Sequence, residues 1–113
     1  MKIIQTIDSS STNGLQTIRE ASQEGLTVCF PGVGSAFAKK NQHTCLIIAK
    51  NGVTVLVDAG TSTPRVLLSR SIQISDFDCY HITHSHADHI GGLEELLLYS
   101  HYVLEEKPRL ILA

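Results

Sequence analysis

A layered α+β fold, with a sheet packed against helices, is predicted by three features of this 113-residue chain. Strand-like and helix-like runs alternate along its length, the order that layered folds of mixed secondary structure show. Two β-rich runs, Thr44 to Lys50 and Val53 to Val57, flank Asn51-Gly52, a two-residue link that favours a type I′ hairpin. A further strand-like run, Cys79 to Thr83, leads directly into six residues crowded with His and Asp, and these precede a helix-like run.

In chain order, Lys2 to Ile7 is a short strand candidate and Asp8 to Asn13 a Ser/Thr-rich turn. Leu15 to Glu24 reads as a helix with Ile18 and Ala21 apolar and Gly25 as its stop. Residues 1–25 are expected to be an extension, a strand and a helix laid on the core of the domain formed by residues 26–113. Leu26 to Phe30 is a strand that Pro31-Gly32 should end, and the hairpin follows. Thr63 before Pro64 has the pattern of an N-cap and a first-turn proline, opening a short helix through Leu68. Ser75 to Asp78 is turn-like, Gly92 to about His101 helical, and Arg109 to Leu112 begins another strand.

At 42% hydrophobic and 18% charged, with a net charge of −2, the composition is that of one soluble globular domain. Nothing in the charge balance announces a nucleic-acid binder, although a local basic patch or bound metal could still meet a polyanion. Cys29, Cys45 and Cys79 are odd in number and set in apolar runs, so they read as core thiols in a reducing compartment. No stretch has the length of a membrane span, and the N-terminus lacks an apolar signal core. A cytoplasmic protein without membrane partners is the expectation.

The chemistry concentrates in His84-Ser85-His86-Ala87-Asp88-His89. Imidazole nitrogen and carboxylate oxygen are ligands that zinc and neighbouring divalent ions accept. In extended backbone His84 and His86 project from the same side, toward one ion. Asp88 and His89 follow the point where that alternation must break, and Gly91-Gly92 supplies flexible backbone for the turn. They are expected to face a second ion, about 3.5 to 4 Å from the first. A metal-free, solvated His-rich loop is the bland alternative. Placement at the C-terminal end of a strand, where layered α/β proteins set their chemistry, argues against it.

These six residues, with Thr83 before them and Ile90-Gly91-Gly92-Leu93 after, resemble the signature of the metallo-β-lactamase superfamily. Val53 to Gly60 resembles the strand ending in an Asp-x-Gly turn that precedes the signature, and Gly32 to Ala36 the glycine-rich loop after the first core strand. The resemblance implies the N-terminal half of a four-layer αββα sandwich, a mixed sheet with helices on one face. It implies two divalent ions, zinc first and manganese or iron as alternatives, held by His84 and His86 on one side and Asp88 and His89 on the other. A water activated to hydroxide between them would attack the substrate, with Asp88 orienting it or taking its proton. Asp58 is expected to fix an imidazole ring by accepting its second N–H, with a turn-forming Asp before Gly60 as the plain alternative.

Gly32 to Phe37, Thr44 to Ile48 and the continuation Gly92-Leu93-Glu94-Glu95-Leu96 are most similar to the ribonuclease Z and phosphodiesterase branch. That branch implies hydrolysis of phosphodiesters, in RNA or in cyclic nucleotides. Thioester, lactone or β-lactam hydrolysis is the enzymatic alternative, and a non-catalytic truncated module the alternative of another class. Family members resemble this chain only in their N-terminal half, so the remaining ligands and the second sheet are expected from a C-terminal half, from a separate chain or from a second copy. Such a half-sandwich should expose an apolar sheet face and self-associate. His43 reads as a solvated loop residue, His81 as a packed or edge histidine, Lys39-Lys40 as surface, and Leu96 to Leu98 as helix core.

Overall fold

The structure, a computed structural model, describes residues 14–37 and 42–112. The strand expected at Lys2 to Ile7, the turn after it and Lys39-Lys40 lie outside the described residues. Five strands, β1 (Thr27–Gly32), β2 (Cys45–Lys50), β3 (Val53–Val57), β4 (Cys79–Ile82) and β5 (Leu110–Leu112), form one sheet in sequential order. The first three run antiparallel, and β4 and β5 then pair in parallel, so the sheet is mixed. Parallel pairing requires long crossovers, and helices supply both. Helix α2 (Thr63–Leu68) lies between β3 and β4, and α3 (Ala87–Ile90) and α4 (Leu93–Tyr99) lie between β4 and β5.

The hairpin forms as the dipeptide predicts, with Asn51 at φ 51° and Gly52 at φ 81°, both in the left-handed region that a type I′ turn demands. Strand β1 runs further than expected, through Pro31 and Gly32. Its register with β2 slips between Cys29 and Gly32, and a bulge on an end strand of the described sheet tolerates a residue without an N–H. Helix α2 starts where expected, but Ser62 is its cap residue. Thr63 is buried, and its hydroxyl instead accepts the Gly60 N–H at 3.0 Å. Beyond α4 the chain widens into a π-helical turn, Ser100–Leu104, and leaves it at Glu105 with φ 54°.

Register and burial divide the sheet into two faces. Cys29, Ile47, Ala49, Leu56, Tyr80 and Ile82 are buried on one face, in a single cluster with Ile18 of helix α1 (Leu15–Ser22), Leu67 of α2 and Leu93 and Leu96 of α4. Alternate residues form the other face. Val28, Leu46, Ile48, Val55 and Val57 are half-buried there, and Phe30, Val53 and Ile111 are 40%, 55% and 52% exposed. The expected half-sandwich is therefore visible, with helices on one face and a largely apolar second face on the reverse. Cys29 and Cys45 are buried thiols, each pushed up to about 11 by burial, while Cys79 is half-buried on the open face.

Helix α1 belongs to the core as well as preceding it. Ile18 is fully buried, and the Arg19 guanidinium donates to the Gly52 carbonyl at 2.8 Å, to Asp78 Oδ2 at 3.1 Å and to the Asp76 carbonyl at 3.1 Å. Ser22 accepts the Asn51 and Gly52 N–H groups, each at 2.9 Å. These bonds tie α1 to the hairpin tip and to the segment that enters β4.

Candidate metal centre

The clustered His and Asp side chains stand at the C-terminal ends of the adjacent parallel strands β3 and β4, where the backbone leaves the sheet and its side chains can converge. Asp58 follows β3 directly with φ 63°, a left-handed conformation that Asp occupies more readily than most residues because its short side chain bonds locally. Its N–H donates to the His81 carbonyl at 2.8 Å, which keeps it in line with β4. Its side chain, 9% exposed, accepts the Thr83 N–H at 2.8 Å and the Thr83 hydroxyl at 2.8 and 3.0 Å, and faces His89 Nδ1 at 2.7 Å. Burial raises the Asp58 pKa, but the Thr83 amide, the His89 ring and the Thr83 hydroxyl together outweigh it and hold the carboxyl below the ordinary carboxylate range.

This network assigns the histidine tautomers. A carboxylate only accepts, so His89 carries a proton on Nδ1 toward Asp58, and Nε2, which faces Asp88, is the nitrogen a cation would take. The Thr83 hydroxyl donates to Asp58 and therefore accepts from His84 Nδ1 at 2.9 Å, which likewise frees His84 Nε2. Asp58 thus organises two rings, one directly and one through Thr83. The three rings are packed together, with centroids 4.7 Å apart for His84 and His86 and 4.0 Å for His84 and His89.

His86, beyond the end of β4, is extended at φ −69° and ψ 146°. The break then comes as one helical turn, α3, which the sequence did not announce. The His86 carbonyl accepts the N–H of His89 at 2.8 Å and of Ile90 at 2.9 Å, and this turn brings Asp88 and His89 round beside each other. Asp88 Oδ2 lies 3.1 Å from His89 Nε2. Two donors bound to one ion at the usual zinc distances stand about 3 to 3.5 Å apart, so this pair has the spacing of ligands to a shared cation. Among the described residues, no group of three or more His, Cys, Asp and Glu converges as a metal cage. The donors therefore fit a divalent ion in chemistry and tautomer but supply fewer than a closed site needs.

Gly91 and Gly92 are not flexible hinges. Both are helical, at φ −59° and −78°, and what they provide is closeness. A Cβ on Gly92 would stand 2.5 Å from the Gly60 carbonyl oxygen and 3.0 Å from that of Ala59, and one on Gly60 would collide with the Asp88 backbone. Ala59 donates to the His89 carbonyl at 2.8 Å and accepts the Gly92 N–H at 2.7 Å. The loop after β3 and the loop after β4 are thereby joined backbone to backbone, in addition to the side-chain bonds of Asp58. Thr83 was legible only as a flanking residue, and its part in orienting His84 emerges from the fold. His43 is half-buried rather than solvated: its N–H donates to Ser62 Oγ at 3.1 Å, and its Nδ1 lies 3.5 Å from the Ser62 N–H. His81 is half-buried in β4, on the face opposite the helices.

Solved structures share this architecture. Human tRNase Z, short form, superposes with a TM-score of 0.60 at 27% identity, over 74% of this chain and 33% of that one. A diphosphatase of the PhnP family gives 0.55 at 20% identity, over 75% and 40%. The fold is the N-terminal part of the metallo-β-lactamase sandwich. No helix among the described residues is long and apolar enough to cross a membrane.

Sequence relatives are more specific. An anti-Pycsar protein Apyc1 of Bacillus phage BSP38 is 47% identical over 74 residues, 65% of this chain and 29% of that protein. One from Paenibacillus harenae is 37% identical over 82 residues, 73% of this chain and 34% of its own length. The chain thus spans about a third of the length of the relatives it matches. The family model described as anti-Pycsar protein Apyc1 matches residues 26–113, from the start of the sheet through the His-rich turn, and the chain belongs to that family.

Proposed function

We propose that this protein is a metal-dependent phosphodiesterase whose substrates are cyclic nucleotides, working with two divalent ions, zinc foremost. The observation that carries the reading is the line Asp58, His89, Asp88, in which a buried carboxylate fixes one ring nitrogen at 2.7 Å and a second carboxylate stands 3.1 Å from the other. Ring orientation by a carboxylate is the usual support of a metal-ligating histidine. His84 and His86 would hold one ion and Asp88 and His89 the other. When bound, such ions supply Lewis acidity and lower the pKa of water, chemistry suited to displacement at phosphorus.

The chain's own residues prepare that chemistry. Asp58 holds the His89 ring through Nδ1 so that Nε2 is turned toward Asp88, and Thr83 passes the same orientation to His84. Asp88, 15% exposed in its side chain, is placed both to ligate and to hold a proton of the nucleophile. Cyclic nucleotides are favoured over RNA because the sequence relatives are anti-Pycsar proteins, whereas the tRNase Z likeness is more distant.

The test is metal analysis of the full-length protein together with hydrolysis of a cyclic nucleoside monophosphate and of bis-p-nitrophenyl phosphate. Two ions per chain, turnover of both esters and loss of turnover in His86→Ala and Asp88→Asn are expected. A metal-loaded protein that leaves both esters intact but cleaves a thioester or lactone would refute the phosphodiester assignment.

A further inference from the structure

Resting on the metal-site reading above, we infer that His43 is a positioning residue for the second ion, acting through the loop that follows β3. Nothing in its immediate sequence ties it to the His-rich turn, 41 residues on by number alone. The fold brings the two together. His43 and Ser62 clasp each other in both directions, the His43 N–H donating to Ser62 Oγ at 3.1 Å and the Ser62 N–H directed at His43 Nδ1 at 3.5 Å. The adjoining Gly34 fixes the other side of this segment, donating to the Gln42 carbonyl at 2.6 Å and accepting the Thr44 N–H at 3.0 Å.

The clasp bears on the metal donors through Gly60. The space a Gly60 Cβ would fill is bounded by the Asp88 carbonyl on one side and by His43 Nδ1, at 2.7 Å, on another. The imidazole and the Asp88 peptide therefore border the same small space beside Gly60, with no room for a side chain between them, and Thr61 Oγ1 donates to the Ala87 carbonyl at 3.4 Å just beyond. The atoms nearest that space belong to Asp88 and His43, and none to His84 or His86. His43 sets the height at which Asp88 is offered to the second ion and leaves the first untouched. For this it must present Nδ1 as an acceptor, so the proton sits on Nε2.

The experiment is stepwise titration of Zn2+ into the metal-stripped full-length protein by calorimetry, repeated with Co2+ to follow each site by its visible spectrum. His43→Ala should weaken the second ion by about ten-fold or more, the scale seen when the support of a ligand is removed, and leave the first within about two-fold. His43→Asn carries an acceptor near the Nδ1 position and should restore most of the loss, and Ser62→Ala should reproduce it in part. Equal weakening of both ions in His43→Ala, or a folded His43→Ala with parental affinity at both sites, overturns the inference. If the parent protein takes up no metal, the metal-site reading itself has failed. If it takes up two and the variant does likewise, only the inference has.

Discussion

Replacing Asp58 by Asn should separate folding from metal binding. The backbone at this position is left-handed, φ 63°, and Asn adopts that conformation as readily as Asp, so the turn after β3 is preserved. Asn Oδ1 can still accept the Thr83 N–H, and its amide group replaces Oδ2 opposite the Thr83 hydroxyl and His89 Nδ1. The hydroxyl can turn to accept, and the ring can move its proton to Nε2. No buried group is left unpaired. What disappears is the charge assistance of two bonds, about 1 kcal/mol each, so the metal-stripped protein should lose roughly 1 to 3 kcal/mol.

Metal binding should suffer out of proportion. The proton displaced onto His89 Nε2 occupies the lone pair that faces Asp88, and an ion can bind there only by expelling it. Affinity for the second ion should fall by about 10- to 100-fold, the range found when a histidine ligand loses its orienting partner. Urea unfolding of the stripped protein measures the first quantity and stepwise zinc calorimetry the second. Asp58→Ala is the contrasting variant: it orphans the Thr83 N–H and adds the left-handed penalty, roughly 1 to 3 and 1 to 2 kcal/mol, so both folding and binding should collapse. A folded Asp58→Asn protein that binds both ions with parental affinity would show that the tautomer is not set by Asp58, and the reasoning built on that carboxylate would be wrong.

Three further outcomes follow from the packing. Gly92→Ala should destabilise by more than 2 kcal/mol in urea unfolding, although Ala is the better helix former by about 1 kcal/mol, because its methyl would meet two carbonyl oxygens of the β3 loop. A stabilised variant would mean that the two loops are not locked. Ile18→Ala should cost about 2 to 5 kcal/mol, since Ile18 is fully buried in the common core; a change within 0.5 kcal/mol would place α1 outside the cooperative unit. Burial raises the Asp78 pKa, but the Thr54 amide and hydroxyl and the Arg19 guanidinium bring it below the ordinary 3.8, so the carboxylate favours the folded state above about pH 4 and that contribution is lost as pH falls through the lowered value. Asp78→Asn should therefore lower the melting temperature at pH 7 and shrink the further drop on acidification; parallel melting curves for parent and variant across that range would contradict it.

Much of this arrangement was legible locally. Asn51-Gly52 specified its turn because both residues accept positive φ, and a two-residue link pairs Lys50 with Val53 and so Ile47 with Leu56, although the apolar runs themselves do not say which face is covered. His86 is extended although β4 has already ended at Ile82. The glycines misled for an instructive reason: sequence shows that Gly can bend, but only the fold shows that another backbone needs the room. Pro31 misled similarly, since its missing N–H ends a regular strand yet costs nothing inside a bulge.

Asp58 was expected to fix an imidazole ring, but which ring it holds, and the parts of Thr83 and His43, were illegible because that support is built across distance. Asp58 reaches His89 over 31 positions and His43 reaches Ser62 over 19, and no periodicity links such pairs. The loops are brought together because β3 and β4 are parallel neighbours, with Val57 opposite His81, so both strands deliver their C-terminal ends to the same edge. A carboxylate leaving β3 then meets an imidazole that has turned back after β4. Parallel pairing thus does for the donors what chain proximity cannot: it fixes the partner of a ring nitrogen, and so which nitrogen is free, before any cation arrives. An uncharged isostere at Asp58 disturbs that choice while leaving the sheet intact, which is why its effect on binding and its effect on folding should diverge.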